Sequence, residues 1–112
     1  MNNVMEQTEK LIEAIHSSNE YAQYQMLQNT ITKDEKVYAR LNDFRKRNLQ
    51  IQINSQVDAI SESANLSREY ADVLNRPEVK DFIAAEQRYI KMLRKINRKL
   101  DAEIHVNIDF LE

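Results

Sequence analysis

The chain of 112 residues contains no glycine, whereas a typical protein has about 7%. Glycine allows positive φ angles and the close approach of backbone to phosphate. Phosphate loops, dinucleotide-binding turns, nucleophile elbows and tight hairpins therefore lack their usual residue. Cysteine is also absent, which excludes disulfides, thiolate metal sites and thiol nucleophiles. With only one proline, this composition indicates an all-α protein.

The sequence also has no long apolar run and no signal-peptide pattern. We therefore expect a cytoplasmic protein without a membrane partner. The net charge of −2 and the pI of about 5.7 provide no general attraction to nucleic acid, which argues against nucleic acid as a partner. The length and the 30% of charged residues are ordinary for a folded chain and predict one helical domain over residues 1–112.

Capping signals place the helix starts. Ser17 with Glu20, and Thr32 with Glu35, have the spacing of capping boxes. Pro77 suits the first turn of a last helix, where its missing N–H is not needed. The predicted helices span about 3–16, 18–30, 33–63, 67–75 and 77–104, followed by a tail at 105–112.

The long third helix and the break after it rest on weaker signals. An apolar stripe continues through Ile53 and Val57 to Ile60, which favours one helix to about residue 63. The small polar residues at 61–67 then predict a loop or break around Asn65.

The last predicted helix carries a broad apolar face. At 1.5 Å per residue its length reaches about 40 Å, which exceeds the diameter of a compact globule of this size. Either the other helices cover it along its length in an elongated, antiparallel bundle, or a second copy does, and the length favours a homodimer. The candidate residues for self-association or for the core are Phe44, Phe82, Tyr89, Leu93, Ile96 and Leu100.

The tail alternates apolar and polar residues, which is a strand period. Its conformation stays open, and the favoured interpretation is an extended end. Its apolar residues, Ile104, Val106, Ile108 and Phe110, would then pack on the helices.

Two histidines lie at helical spacing from carboxylates. The groups are His105 with Asp101 and Asp109, and His16 with Glu9, Glu13 and Glu20. The His105 group could hold a metal ion or an acid–base pair, but a solvated helix end is the favoured interpretation. The His16 group could hold a hard cation, but a solvated acidic face is favoured. We therefore expect no catalytic residue, no metal and no cofactor, and a metal-dependent enzyme using His105 is the weakest hypothesis.

Basic residues recur every three or four positions along the last helix, and no acid lies between Tyr89 and Leu100. This basic stripe consists of Arg88, Lys91, Arg94, Lys95, Arg98 and Lys99. A second basic cluster consists of Arg45, Lys46 and Arg47. Both could be solvated faces balanced by the acids of the first two helices. As binding sites they would suit an acidic protein better than RNA, because the chain lacks an aromatic and glycine platform for bases.

The chain has five tyrosines. They are Tyr21, Tyr24, Tyr38, Tyr70 and Tyr89. Tyrosines in a helical protein usually cover the core and keep the hydroxyl in water, and that is the expectation for these five. The Tyr21 and Tyr24 pair is also a candidate interface anchor.

Two short strings are typical of a known family. The string S-x-x-E-Y occurs at residues 17–21 and N-R-P-E-V at residues 75–79. With the apolar positions around them, they resemble the YlbF/YmcA family of small helical bacterial proteins over roughly residues 5–105. The resemblance implies an all-α protein, often self-associating, that regulates through protein contacts and has no catalytic residues.

Relatives of this type are linked to competence, sporulation and biofilm control. They are also linked to a complex of sister proteins that adjusts the RNA-cleaving ribonuclease Y. Some relatives carry cysteines associated with iron–sulfur clusters, and since this chain has no cysteine, the resemblance implies no cluster here. The leading hypothesis is a helical adaptor for sister proteins and a ribonuclease, and the alternative is an RNA-binding accessory that uses the basic stripe.

Overall fold

A computed structural model describes residues 2–54 and 58–111. The regular structure of these residues is helical throughout, which confirms the all-α prediction. The helices are α1 (Asn3–His16), α2 (Asn19–Thr32), α3 (Glu35–Ile53), α4 (Ala59–Glu69), α5 (Ala71–Leu74) and α6 (Pro77–Glu103), and a 3-10 turn follows at Asp109–Leu111.

Side-chain caps begin α2 and α3, but not at the predicted residues. Ser18 Oγ accepts the N–H three residues ahead at 3.1 Å, and Asp34 Oδ1 does the same at 3.3 Å. Ser17 instead ends α1, and Thr32 is the last residue of α2. The two predicted capping boxes are therefore wrong by one or two residues. Where several short polar side chains adjoin, the residue with extended backbone becomes the cap, as at Ser18 with ψ of 153°.

The start of α6 agrees with the prediction. Pro77 is its first residue, and Arg76 precedes it with extended backbone. Glu78 lies in the first turn, where its own backbone N–H and then the Arg76 guanidinium lower the pKa of its carboxyl. An acidic group at this end is favoured because the helix dipole is positive there.

The middle of the chain departs from the prediction. The helix predicted over 33–63 ends at Ile53, and α4 already covers 59–69, so the predicted break around Asn65 lies within a helix. Val57, counted in the predicted stripe, lies outside the described residues. Asp58 starts α4 by accepting the Ser61 N–H at 3.2 Å, and burial of Leu66 then holds the small polar segment in helix. The helix predicted at 67–75 is divided between α4 and α5.

The core is formed by parts of five helices. It is built from the end of α2, the first half of α3, the end of α4, α5 and the start of α6. Its buried members are Ile31, Val37, Leu41, Leu66, Tyr70, Val73, Val79 and Phe82. Helix α2 is the main neighbour of α6, and α3 contacts α2, α4 and α5.

The protein is elongated, as predicted. Its radius of gyration is 18.8 Å and its extents are 50 × 40 × 18 Å, whereas a compact chain of this length has a radius of about 13 Å. The reason is that α1 has no buried residue and α6 has none after Ala85. The predicted bundle packing and homodimer stay predictions.

The tail is only partly as expected. Helix α6 ends before Ile104, whose backbone is extended (φ −126°, ψ 114°). The expected packing of its apolar side is wrong, because Val106 is 82% exposed and Phe110 is 80% exposed. The part of α6 before the tail contains no buried residue, so the core does not reach this region and the tail has no core to join.

None of the helices in the described part of the chain combines the length and apolar character needed to cross a bilayer.

Candidate protein-interaction surface

Helix α6 divides into two halves with different surroundings. The inner half, residues 77–89, contains the buried residues Val79, Phe82 and Ala85. The outer half, residues 90–103, has no buried residue, and its Leu100 is 44% exposed. The apolar period is the same in both halves, so the outer half presents an incompletely covered apolar face.

Six residues are predicted for the core or for self-association, and they differ in burial. Phe44 lies on α3, Phe82 and Tyr89 lie on the inner half of α6, and the other three lie on its outer half. Phe82 is only 1% exposed and belongs to the core. Phe44 and Tyr89 are half-buried inside the protomer, next to Tyr70 and Tyr24 respectively. The three residues on the outer half are Leu93, Ile96 and Leu100, of which the first two are half-buried and the third is exposed.

The basic stripe lies along the outer half of α6 and begins at the end of the inner half. Arg88 donates to Gln23 Oε1 on α2 at 3.1 Å. The other five cations are exposed, and within residues 2–54 and 58–111 none of them forms an ion pair. They are Lys91, Arg94, Lys95, Arg98 and Lys99. Their charge is therefore available to a partner.

Two open grooves follow the stripe. One of about 690 Å³ lies between the start of α2 and α6, and is lined by Asn19, Glu20, Gln23, Arg88, Lys91, Met92 and Lys95. The other, of about 460 Å³, lies on α6 and includes Ile90, Arg94 and Arg98. Both are open to solvent and lined mostly by polar or charged residues, which suits a macromolecular surface better than an enclosed small-molecule site.

The second basic cluster is largely engaged inside the protomer. Arg45 Nη2 lies 2.8 Å from both carboxylate oxygens of Glu86, and its guanidinium lies 5.8 Å from the centre of the Phe82 ring. Arg47 Nη1 donates to Glu69 Oε1 at 3.0 Å. These contacts join α3 to α6 and to α4, and only Lys46 of the cluster forms no ion pair among the described residues.

Tyr70 makes buried polar contacts that the sequence interpretation does not predict. It is 2% exposed, and its hydroxyl donates to the Asp43 carboxylate and accepts from Arg47 Nη1, the latter at 2.9 Å. The Arg40 guanidinium covers its ring at 4.3 Å. The expectation that its hydroxyl lies in water is wrong, because two polar partners offset the cost of burial. The available signal was the helical spacing of Arg40, Asp43 and Arg47 on α3.

Arg40 also fastens α3 to the corner between α4 and α5. Its Nε and Nη2 donate to the two carboxylate oxygens of Asp72 at 2.8 and 2.9 Å, and Nη2 donates to the Glu69 carbonyl at 2.9 Å. The hydrogen bond from Arg40 lowers the pKa of the Asp72 carboxyl. This contact positions the core helices and involves no residue of α6.

The tyrosines of α2 hold it against α6. Tyr24 lies between Phe82 and Tyr89, with ring centres 5.9 and 5.1 Å away, and burial raises the pKa of its hydroxyl. Tyr21 packs on Tyr89 at 5.4 Å and on His16 at 4.8 Å. The pair considered as an interface anchor therefore makes contacts within the protomer.

The geometry removes the support for the His105 group. Helix α6 ends at Glu103, so His105 and Asp109 do not continue the face on which Asp101 lies. The described residues hold no cluster of three or more side chains that could bind a metal.

Comparison with known proteins identifies the family. The family model described as control of competence regulator ComK, YlbF/YmcA, matches residues 4–105. The chain belongs to the YlbF/YmcA family. This confirms the resemblance carried by the two short strings. That description connects the YlbF/YmcA family to the control of a competence regulator, which is a regulatory role.

Two relatives are similar over nearly the whole length of this YlbF/YmcA protein. A UPF0342 protein of Caldicellulosiruptor saccharolyticus is 26% identical over 101 residues, which cover 88% of this chain and 84% of the relative. A UPF0342 protein of Caldicellulosiruptor bescii is 24% identical over 101 residues, with 88% and 85% covered. No solved structure matches.

Proposed function

We propose that this YlbF/YmcA protein is a non-enzymatic regulatory adaptor that acts in the cytoplasm through protein contacts. One observation carries the proposal: five exposed cations without ion pairs among the described residues lie beside a partly uncovered apolar face, on the same half of α6. Protein interfaces combine apolar contacts with polar edges in this way. The family description, which concerns the control of a regulator, supports the same role.

The chemistry of the stripe favours an acidic protein surface as its partner. Because five cations follow one helix, an acidic patch of similar length would meet several of them and gain both steering and specificity. By resemblance, the candidates are sister proteins of the family and the RNA-cleaving ribonuclease Y, in pathways such as competence, sporulation and biofilm control.

The apolar side of the outer half favours self-association. Leu93, Ile96 and Leu100 continue the face that is buried in the inner half, and Ile90 is 37% exposed next to them. Burying such a face contributes about 25 cal/mol per Å² of apolar surface. In a homo-oligomer, most simply a homodimer, a second copy buries this face.

Charge reversal tests the role of the stripe. The variant Lys91→Glu, Lys95→Glu, Arg98→Glu is expected to bind purified sister proteins or the ribonuclease at least about tenfold more weakly than the unaltered protein, a loss of about 1.4 kcal/mol. The matched control is Lys33→Glu, Lys36→Glu, Lys80→Glu, which makes the same charge change on exposed residues outside the outer half of α6. Equal binding by the two variants would contradict the proposal.

The RNA-binding alternative rests on the same stripe and on the groove of about 460 Å³ that four of its cations line. If the stripe contacts phosphates, the logarithm of the affinity for single-stranded RNA must fall linearly with the logarithm of the salt concentration. An absence of RNA binding at low salt would exclude this alternative and leave the adaptor proposal intact.

A further inference from the structure

Helix α1 has an apolar stripe without cover. Among the described residues α1 contacts only α2, and none of its residues is buried. Val4, Met5, Leu11 and Ile12 are exposed, and Ile15 is half-buried. Their spacing places them on one side of the helix. An exposed stripe of this kind indicates a missing helix partner.

The outer half of α6 matches α1 in length. Helix α1 has 14 residues, and the outer half spans the same number, so each is about 21 Å long. Each presents one apolar stripe, and no part of α1 approaches α6 within the same protomer. The two surfaces are therefore complementary in size and in apolar character without meeting.

Their charges are complementary as well. Helix α1 carries the acids Glu6, Glu9 and Glu13 against one lysine, Lys10, and none of the acids forms an ion pair among residues 2–54 and 58–111. The outer half of α6 carries five cations and only the acids Asp101 and Glu103, both near its end. Juxtaposed patches of opposite sign favour association and fix its direction.

The corner between α1 and α2 keeps α1 away from its own α6. Ser18 Oγ donates to the Ile15 carbonyl at 2.6 Å and also accepts the N–H that begins α2. The His16 ring packs on Tyr21 at 4.8 Å. Because these contacts fix the corner, α6 of the same protomer does not cover the apolar stripe of α1. A surface that covers this stripe comes from another molecule.

We propose that α1 of one copy lies along the outer half of α6 of a second copy, and that the second copy returns the same contact. This inference rests on the self-association proposed above and names the surfaces that form it. A two-fold arrangement makes both contacts at once, closes the assembly and doubles the buried apolar area.

The arrangement leaves part of the basic stripe free for another partner. Arg94 and Lys99 border the apolar face of α6 and meet Glu9, which borders the apolar side of the incoming α1. Lys91 and Arg98 each precede an apolar residue of that face by two positions, so they lie about 200° around the helix from it. These two cations stay exposed in the dimer, which is compatible with the adaptor role.

Crosslinking tests which chains supply the two helices. Because the chain has no cysteine, Thr8→Cys on α1 and Asn97→Cys on α6 each create a single thiol on an exposed residue. When the two variants are mixed and treated with a short bismaleimide, we expect a crosslinked dimer of one copy of each. Each variant alone should give little product, and so should either variant mixed with Ser67→Cys, an exposed control on α4.

Three results would overturn the inference. One is the absence of a mixed crosslink while light scattering still shows a dimer, in which case self-association stands and only the choice of surfaces fails. A second is a crosslink confined within one chain in the double variant Thr8→Cys, Asn97→Cys. A third is a monomer at high protein concentration, which would also remove the proposed self-association.

Charge exchange gives an independent test that does not depend on the linker. The variants Glu9→Lys and Lys99→Glu should each dissociate about tenfold more readily alone, because each homodimer contains two repulsive contacts. Mixed together they should form heterodimers of restored affinity, since both contacts are then between opposite charges. The control Glu62→Lys, Asp81→Lys should mix without preference. Failure of the first two variants to recover on mixing contradicts the pairing.

Discussion

The inner and outer halves of α6 have the same apolar period but different neighbours. In the inner half, α2 is the main cover of the helix, and Phe82 is buried between Tyr24 of α2 and Arg45 of α3. In the outer half, Leu93 and Ile96 are half-buried and Leu100 is exposed. The spacing of apolar residues in the sequence therefore identifies the face of a helix that needs to be covered. Whether the same chain covers it depends on the neighbouring helices.

The largest expected loss of stability comes from a substitution in the inner half of α6. Replacing Phe82 by Ala removes a buried ring and leaves a cavity, so the free energy of unfolding should fall by about 3–5 kcal/mol. The comparison variant Leu100→Ala, measured in dilute protein, should cost less than about 1 kcal/mol because that side chain already lies largely in water. Urea unfolding followed by circular dichroism measures both, and equal losses would contradict the division of α6.

A smaller loss of stability is expected from a substitution at Tyr70, a residue of the core. The variant Tyr70→Phe removes a hydroxyl that donates to Asp43 and accepts from Arg47. Hydrogen bonds to charged groups are worth about 1.5–3 kcal/mol, and partial access of water to these partners reduces the expected loss to about 1–2 kcal/mol. The control is Tyr38→Phe, at a half-buried tyrosine of α3, which should unfold like the unaltered protein. If the two variants are equally stable, the hydroxyl of Tyr70 contributes nothing.

The smallest effect depends on pH and concerns the Arg40–Asp72 contact. The pKa of Asp72 lies below its usual value of 3.8 because Arg40 donates to the carboxylate. The folded state therefore gains stability above the usual pKa and loses it as the pH falls through the lowered one. Thermal unfolding of Asp72→Asn should show a lower Tm at pH 7 and no difference at about pH 2.

A control separates this contact from the general effect of losing a negative charge. Asp101→Asn removes an exposed carboxylate for which no ion pair is found among the described residues. Its Tm should follow that of the unaltered protein at every pH. A gap for Asp72→Asn that persists in acid would show that the ion pair is not its cause.

The sequence was sufficient for the elements whose signals are local. Pro77 predicted the start of α6, and the apolar period predicted the face that contains Phe82 and Leu100. The break before α4 is not evident from the sequence because the apolar stripe continues across it, and only Asp58, whose carboxylate caps the new helix, marks it. The small polar residues after it looked like a loop, but burial of Leu66 keeps them helical.

The site was harder to predict because its properties depend on contacts between distant residues. Nothing local distinguishes Arg45 and Arg47, which form ion pairs with α6 and α4, from Lys91, which forms none in the described part of the chain. Likewise, Tyr70 is buried only because α3 supplies polar partners to its hydroxyl. Side chains with the same local pattern therefore divide into internal and available groups only when the helices are packed.

Amide hydrogen exchange along α6 at two protein concentrations tests the central claim most directly. We expect the inner half to be protected at both concentrations, because the protomer itself covers it. The outer half should exchange rapidly in dilute protein and become protected, together with α1, as the concentration rises. Protection of the outer half that is the same at both concentrations would contradict the account.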